Sequence, residues 1–282
     1  MEYSINVNGK MMDLSQPRVM GILNVTPDSF YSESRAQTKE MVVARVREML
    51  AQGADIIDVG ACSTRPGSEP ASAQEEMQRL RMALRTIRQE VADVVLSIDT
   101  FRPDVAKMAV EEFGADIIND VGEGSASPLG SAKNCQLSTV NSPLEMFRTV
   151  SRLGVPYVLM SRQPTVETIL MDFAERVQQL RDIGQKDIIL DPGFGFGKTM
   201  EQNFAVLNEQ DRLLVMGLPL LVGVSRKRMV YNTLGTTPAE ALNGTTVLNT
   251  IALMKGASIL RVHDVREAVE CVRIWQGVMG KE

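Results

Sequence analysis

Short β-branched runs alternate with longer segments of helical periodicity along the whole of this chain, at nearly even spacing. That alternation limits the fold more than any other feature. The runs VMGILNV (19–25), ADIIDVG (54–60), VVLSIDT (94–100), ADIIND (115–120), PYVLM (156–160), DIILDP (187–192), PLLVGVS (219–225) and SILRVH (258–263) read as eight strands. Charged amphipathic stretches between them, such as 72–90 and 168–184, are long enough for helices, and a final helix is expected at 264–279. Nearly continuous apolar strands belong to a parallel sheet covered on both faces. Eight strand–helix units in 282 residues predict an α/β fold of the (β/α)8 TIM-barrel type, as a single domain over 1–282. A doubly wound open sheet is the second reading. The opening SINVNGKMMDL reads as a β-hairpin with Asn8-Gly9 at its turn, placed to plug the N-terminal end of the barrel.

The repeat is also visible in the letters. GADIIDV (53–59), GADIIND (114–120) and GASILRV (256–262) share one frame and put Asp58, Asn119 and Arg261 at the same register. Near-identical beginnings with divergent polar ends suit a scaffold that varies where its strands finish. The segment 122–142, GEGSASPLGSAKNCQLSTVNS, is the one long Gly/Ser-rich connection, against a usual 2–6 residues in such units, and is expected to be functional or mobile.

Composition then removes several function classes. With 44% hydrophobic residues and a net charge of -5, the chain is neither disordered nor globally basic, which disfavours a nucleic-acid partner. The longest near-apolar run, 213–224, is interrupted by Gly217 and Pro219 and falls well short of the ~20 residues of a membrane span. The N-terminus carries no apolar signal core, so the expected location is the cytoplasm. Three scattered cysteines, Cys62, Cys135 and Cys271, suggest neither a disulfide framework nor a zinc site.

In a barrel of this kind the active site lies at the C-terminal ends of the strands. There the sequence supplies Asn24, Asp58, Asp99, Asn119, Met160, Asp191, Ser225 with Lys227, and Arg261 with His263. Carboxylates among Ile, Leu and Val need partners or a ligand, because burying an unpaired charge costs several kcal/mol. A purely structural ring, with Asp99 and Asp191 paired to Lys227 and Arg261, would also satisfy them. Read as chemistry, Asp99, Asn119 and Asp191 are the acceptors and amide that recognise a flat heterocycle rich in N–H donors. Lys227, Arg261 and His263, the chain's single histidine, supply positive charge for a phosphate or a departing anion. Asp264 is a candidate helix cap beside them.

Two motifs are ambiguous. DPGFGFGKT (191–199) fails both the GxxxxGK[ST] and the GxGxxG phosphate-loop patterns. Its glycines read first as a tight turn and second as close backbone approach to a ligand, with Phe194 or Phe196 as a stacking face. STRPG (63–67) puts Arg65 ahead of Pro66 and Gly67 on a stiff loop after Asp58, a candidate lid.

Taken together, MGILNVTPDSF (20–30), IIDVGACSTRPG (56–67), SIDTFRPDV (97–105), GADIINDV (114–121), LDPGFGFGKT (190–199), VGVSRKRM (222–229) and LRVHDV (260–265) resemble the dihydropteroate synthases in order and spacing. The resemblance implies a (β/α)8 barrel that joins 4-aminobenzoate to 6-hydroxymethyl-7,8-dihydropterin diphosphate and releases diphosphate. It implies that Asp99, Asn119, Asp191 and Lys227 hold the pterin, with Met160 and Phe196 along its faces. Asn24 would help bind a magnesium ion (Mg2+) that accompanies the diphosphate, and Arg65, Arg261 and His263 would complete the anion pocket. Two lids, about 25–36 and 61–69, would bring Phe30, Thr64 and Pro66 around the aminobenzoate. The aminobenzoate carboxylate would lie near the helix start after Gly223, at Ser225 to Arg228. Asp99, Lys227, Arg261 and His263 are the catalytic set on this reading, and late helices would form a homodimer.

The chain departs from the family pattern in places. DSFYSESR (28–35) has Ser32 where an aspartate is usual, with Glu33 next to it; Ala61-Cys62 replaces Gly-Glu; and Met160-Ser161-Arg162 replaces Met-His-Met. The altered lids keep open a pterin-binding paralogue that no longer catalyses; separate alternatives are a pterin-dependent methyltransferase of the same superfamily, against which STRPG and SRK with RVH argue, and an unrelated barrel aldolase using Lys227 as a Schiff base.

Overall fold

The computed structural model of the chain describes residues 3–26, 35–62, 71–123 and 143–280. The candidate residues Phe30, Thr64, Arg65 and Pro66, the substituted lid positions Ser32 and Glu33, and nearly all of the 122–142 connection lie outside them.

All eight expected strands form, after an N-terminal hairpin. The hairpin pairs β1 (Ser4–Val7) with β2 (Lys10–Asp13), antiparallel. Its two-residue turn has Asn8 at φ 51° and Gly9 at φ 78°, consecutive left-handed residues of the kind that match the twist of hairpin strands. The barrel strands are β3 (Arg18–Asn24), β4 (Ile56–Gly60), β5 (Leu96–Asp99), β6 (Ile117–Asp120), β7 (Tyr157–Met160), β8 (Ile188–Asp191), β9 (Leu221–Val222) and β10 (Ile259–Val262). Every neighbouring pair is parallel, in the order β8-β7-β6-β5-β4-β3-β10-β9. A parallel bridge from Leu190 to Leu220 and the Leu190 N–H donating to Pro219 O at 2.9 Å join the two end strands, so the sheet curls into a barrel rather than an open doubly wound sheet. The seventh barrel strand is much shorter than its seven-residue run suggested. Pro219 has no N–H to give the ladder, and by Lys227, whose N–H donates to Val224 O, the chain is already turning.

Helices follow each strand, as the repeat requires: α1 (Arg35–Ala51), α2 (Ala73–Glu90), α3 (Pro103–Phe113), α4 (Pro143–Leu153), α5 (Val166–Asp182), α6 (Met200–Asn208), α7 (Arg228–Leu234), α8 (Leu242–Met254) and α9 (Val265–Met279). Local chemistry sets their ends. Ser72 with Glu75 forms a capping box on α2, and Thr199 with Gln202 does so on α6. The seventh unit carries two α-helices, one more than the expected one per strand.

The strand period of two sorts side chains into two separate cores. Outward-facing Val19, Leu23, Ile57, Val59, Leu96, Ile98, Ile118, Leu159, Leu190, Val222, Leu260 and Val262 pack against the helices. Inward-facing Met20, Ile56, Ile117, Val158, Ile189, Leu221 and Ile259 form a different cluster inside the barrel, and it includes Ile5, Val7 and Leu14 of the N-terminal segment. The hairpin therefore does plug the barrel's N-terminal end. One step of two residues along each strand, the inward layer changes character to Ile22, Asp58, Ser97, Asn119, Met160, Asp191, Gly223 and Arg261. An apolar floor carries a polar storey above it. No helix among the described residues is long and apolar enough to cross a membrane.

Candidate active site at the barrel rim

The three repeated frames converge on one carboxylate. Asp58, fully buried, accepts a hydrogen bond from Ser97 Oγ at 2.6 Å, from Asn119 Nδ2 at 3.1 Å and from Arg261 Nε at 2.7 Å. Arg261 reaches on through Nη2 to Asp99 at 2.6 Å, so one guanidinium ties two acids together. Residues at equal register in three repeats thus meet in a single network, because equivalent positions on a closed barrel face the same axis. Asp58 stands in the sequence list of rim residues without a separate role. The structure makes it the pivot that orients Asn119 and Arg261, and the shared frame was the signal for it.

Strand register sets the upper ring. Asn24 pairs across from Gly60, Gly60 from Asp99, and Asp99 from Asn119. Gly60 leaves a gap that a methyl group would narrow: a Cβ there would lie 3.5 Å from Asn24 Oδ1 and 3.7 Å from Asp99 Oδ2. Asn24 Oδ1 and Asp99 Oδ2 therefore both lie close to Gly60, the second of them held by Arg261. Asn119 Oδ1 is buried with no hydrogen-bond partner in the protein, an acceptor waiting for a donor. Met160 is fully buried across from Asp191 in the ladder.

On the far side, the turn after β8 carries Asp191, Phe196 and their partners. Gly193, Gly195 and Gly197 all have left-handed backbone, at φ 69°, 80° and 64°. The close approach they permit is to the chain itself. A Cβ at Gly193 would sit 2.2 Å from Ser161 O, and one at Gly195 would sit 3.0 Å from Lys227 Cδ. The structure also separates the two phenylalanines: Phe194 is fully buried in the outer core, whereas Phe196 is half-buried with Lys227 Nζ 4.6 Å from its ring centroid. Lys227 also donates to Phe194 O. Of the salt bridges considered for a structural ring, Asp99 with Arg261 forms; Asp191 instead accepts the Gly193 N–H at 2.8 Å, and Lys227 takes a carbonyl. Gly223 lies between the cations: a Cβ there would be 3.8 Å from Arg261 Cβ and 3.9 Å from Lys227 Nζ.

The last strand places His263 with its Nδ1 3.0 Å from Ser225 Oγ, which also accepts the His263 backbone N–H at 3.2 Å. Asp264 does not cap α9 as the sequence suggested. Its carboxylate takes a two-pronged bond from Arg226 at 2.6 and 2.9 Å, holding the turn after β9 against the turn after β10. Arg226 itself has φ 53°, so the fork anchors a residue in uncommon backbone between Ser225 and Lys227. Arg228 is exposed at the first residue of α7.

Electrostatics at the rim are poised near neutrality. Burial pushes Asp99 up to about 7 against the pull of Arg261, with Asp58 and Glu76 raising it further. Asp191 is raised by burial too, held back by Lys227 and the Gly193 N–H. Burial brings Lys227 down to about 8, opposed by Asp191. The despite-burial exception is Arg261, whose pKa rises because Asp58 and Asp99 favour its charge. Such an arrangement of buried acids pushed up and a buried base pushed down at one end of a barrel is what functional sites display. It offers acceptors for a donor-rich ring, a cation beside an aromatic face, and an arginine and histidine for an anion.

Residues 20–263 match the family described as "Pterin binding enzyme". The chain is similar to the dihydropteroate synthase of Clostridium beijerinckii, 39% identical over 258 residues that cover 88% of this chain and 89% of that protein. Among solved structures it is similar to the Xanthomonas albilineans dihydropteroate synthase with 4-aminobenzoic acid, at 33% identity and a TM-score of 0.84 over 99% of each chain. It is also similar to the Yersinia pestis dihydropteroate synthase in a sulfonamide drug complex, at 33% identity and a TM-score of 0.81 over 99% of this chain and 100% of that one.

Proposed function

This chain belongs to the dihydropteroate synthases, and from that membership we propose how its rim performs their reaction. The enzyme is a transferase that condenses 6-hydroxymethyl-7,8-dihydropterin diphosphate with 4-aminobenzoate, giving 7,8-dihydropteroate and diphosphate. The single observation that carries the site assignment is the set of Asp99, Asn119 and Asp191 at the barrel rim, with Asn119 Oδ1 buried and unpartnered. A pterin edge supplies the N–H donors that such acceptors lack. Lys227 and Phe196 stand together at its other side, with Met160 beneath.

The chemistry follows an SN1-like course. The bond between the pterin methylene carbon and the diphosphate oxygen breaks, and its electron pair leaves with the diphosphate. The carbon is left as a cation conjugated with the pterin ring. Asp99 and Asp191 favour that cation when ionised, and Arg261 with His263 favours the leaving anion. The aminobenzoate nitrogen then attacks the carbon and loses its proton to water. No protein nucleophile is needed.

Magnesium suits Asn24. Among the described residues no three His, Cys, Asp or Glu side chains gather into a metal site. An amide oxygen at the rim beside Asp99 matches the way magnesium is held by few protein oxygens plus substrate phosphates. When bound there, the ion supplies positive charge to the diphosphate oxygens. Ser225 and Arg228 would meet the aminobenzoate carboxylate, and Phe30, Thr64, Arg65 and Pro66 would close over it from the lids.

On this assignment sulfonamides compete with 4-aminobenzoate for one site. The expected result is a rise in KM for aminobenzoate with kcat unchanged; a fall in kcat at constant KM would put the drug, and the aminobenzoate site, elsewhere. We propose a cytoplasmic location for the synthase, where its small-molecule substrates would meet it. We also propose a homodimer through α8 and α9. Support for the dimer is an apolar stripe at helical spacing, Val247, Ile251 and Met254 on α8, beside Ile274 and Val278 on α9, exposed by 38% to 70%. Sedimentation at twice the chain mass is expected, and a monomer at micromolar concentration would overturn that placement.

A further inference from the structure

Two lysines grip the turn after β8, and only one of them belongs to the site described above. Lys198 Nζ donates to three main-chain carbonyls: Ser161 O at 3.0 Å, Gly193 O at 3.2 Å and Phe196 O at 3.5 Å. Two of these acceptors belong to the turn that carries Phe196, and the third belongs to the loop after β7. A compact ammonium with three donors can serve three carbonyls at once, which a planar guanidinium does not match.

The acceptor from the neighbouring loop is itself held. Ser161 Oγ donates to Asp172 of α5 at 2.5 Å, and Arg176 donates to the same carboxylate at 2.6 Å. The two loops also touch closely, since Gly193 has no room for a Cβ against Ser161 O. The anchored loop thus offers Lys198 a fixed point from which to hold Phe196. Lys227 meets the same turn through Phe194 O and the face of Phe196. The Ser161 of this anchor falls where the sequence departs from the family's Met-His-Met.

We propose that Lys198 is a positioning residue of the pterin subsite: it fixes the 193–197 turn to the loop after β7, so that the Phe196 ring faces Lys227 and the pterin at a set orientation. The inference rests on the assignment of Phe196 and Lys227 to the pterin. It acts through Phe196, which makes it separable from a general contribution to folding.

The test is a double-mutant cycle with Lys198→Met, Phe196→Ala and the double variant. Affinity for the dihydropterin diphosphate is read by calorimetry without aminobenzoate, alongside KM, kcat and the thermal midpoint. Loss of an ordered aromatic–cation face is expected to weaken pterin binding about tenfold in each single variant. KM for the pterin should rise while kcat stays within about threefold and KM for aminobenzoate does not move. The double variant should bind no more than about twofold more weakly than Phe196→Ala alone, since both changes remove one contact. Wild-type affinity in Lys198→Met, or losses that multiply in the double variant, would overturn the proposal. Should the methionine variant fail to fold, Lys198→Gln enters the same cycle with the same criteria. Failure of the unaltered protein to bind the pterin would count instead against the site assignment itself.

Discussion

Arg261→Met is expected to destabilise the protein by about 3–5 kcal/mol and to abolish turnover. The guanidinium is the shared partner of Asp58, which is fully buried, and Asp99, which is mostly so. Methionine keeps the length of the side chain and removes both bonds, leaving two carboxylates in a layer that no longer holds their countercharge. The deficit has a predictable pH dependence. Asp99 already binds its proton more tightly in the folded protein, at about 7 against an ordinary 3.8. A raised folded pKa on an acid means that stability falls as pH rises from about 4 through 7, because ionisation is easier in the unfolded chain. Removing Arg261, which pulls Asp99 down, extends that window upward. Denaturant unfolding of the variant should therefore show its smallest deficit at acid pH and its largest above neutrality. A deficit independent of pH would mean that lost packing, not unpaired charge, is the cause.

Asp191→Asn and Lys227→Ala are expected to weaken pterin binding by about 100-fold or more while the barrel stays folded. Asp191 is raised by burial, so a neutral amide costs the fold little, and the asparagine oxygen can still accept the Gly193 N–H. What the amide cannot do is present two acceptors to a donor-rich edge. Buried donors left without partners cost about 1–3 kcal/mol each, and two of them amount to about a hundredfold or more. Lys227→Ala removes the cation over Phe196 and leaves Asp191 without the charge that restrains it. Calorimetric titration with the pterin substrate checks both variants, with circular dichroism as the control for folding. Unchanged affinity in either would remove that residue from the pterin site.

The barrel was legible in the sequence because parallel strands covered on both faces are written as apolar runs, and those runs mark their own positions. Their polar ends were legible for the same reason: Asp58, Asp99, Asn119, Asp191 and Arg261 stand out against isoleucine and leucine. Partner choice was not. Nothing in the letters says that Arg261 takes both Asp58 and Asp99, that Asp191 takes a backbone N–H, or that Asp264 turns from the helix it precedes toward Arg226. The two choices of Arg261 depend on strands that become neighbours across 203 and 162 residues of chain, a property of barrel closure, and the other two on how the turns after β8, β9 and β10 fold. The same holds for Phe194 and Phe196, two letters apart in one motif and sent to opposite environments by the left-handed glycines between and around them. Lys198 was hidden for a related reason: its partners are main-chain carbonyls, which no residue code records.

The most direct test of the central claim is diphosphate release from the purified protein given the dihydropterin diphosphate and magnesium, with and without 4-aminobenzoate. Release that depends on aminobenzoate and yields dihydropteroate in equal amount is the predicted result. Pterin binding without any aminobenzoate-dependent release would contradict it, and would mean that the rim keeps the pocket of a dihydropteroate synthase without its reaction.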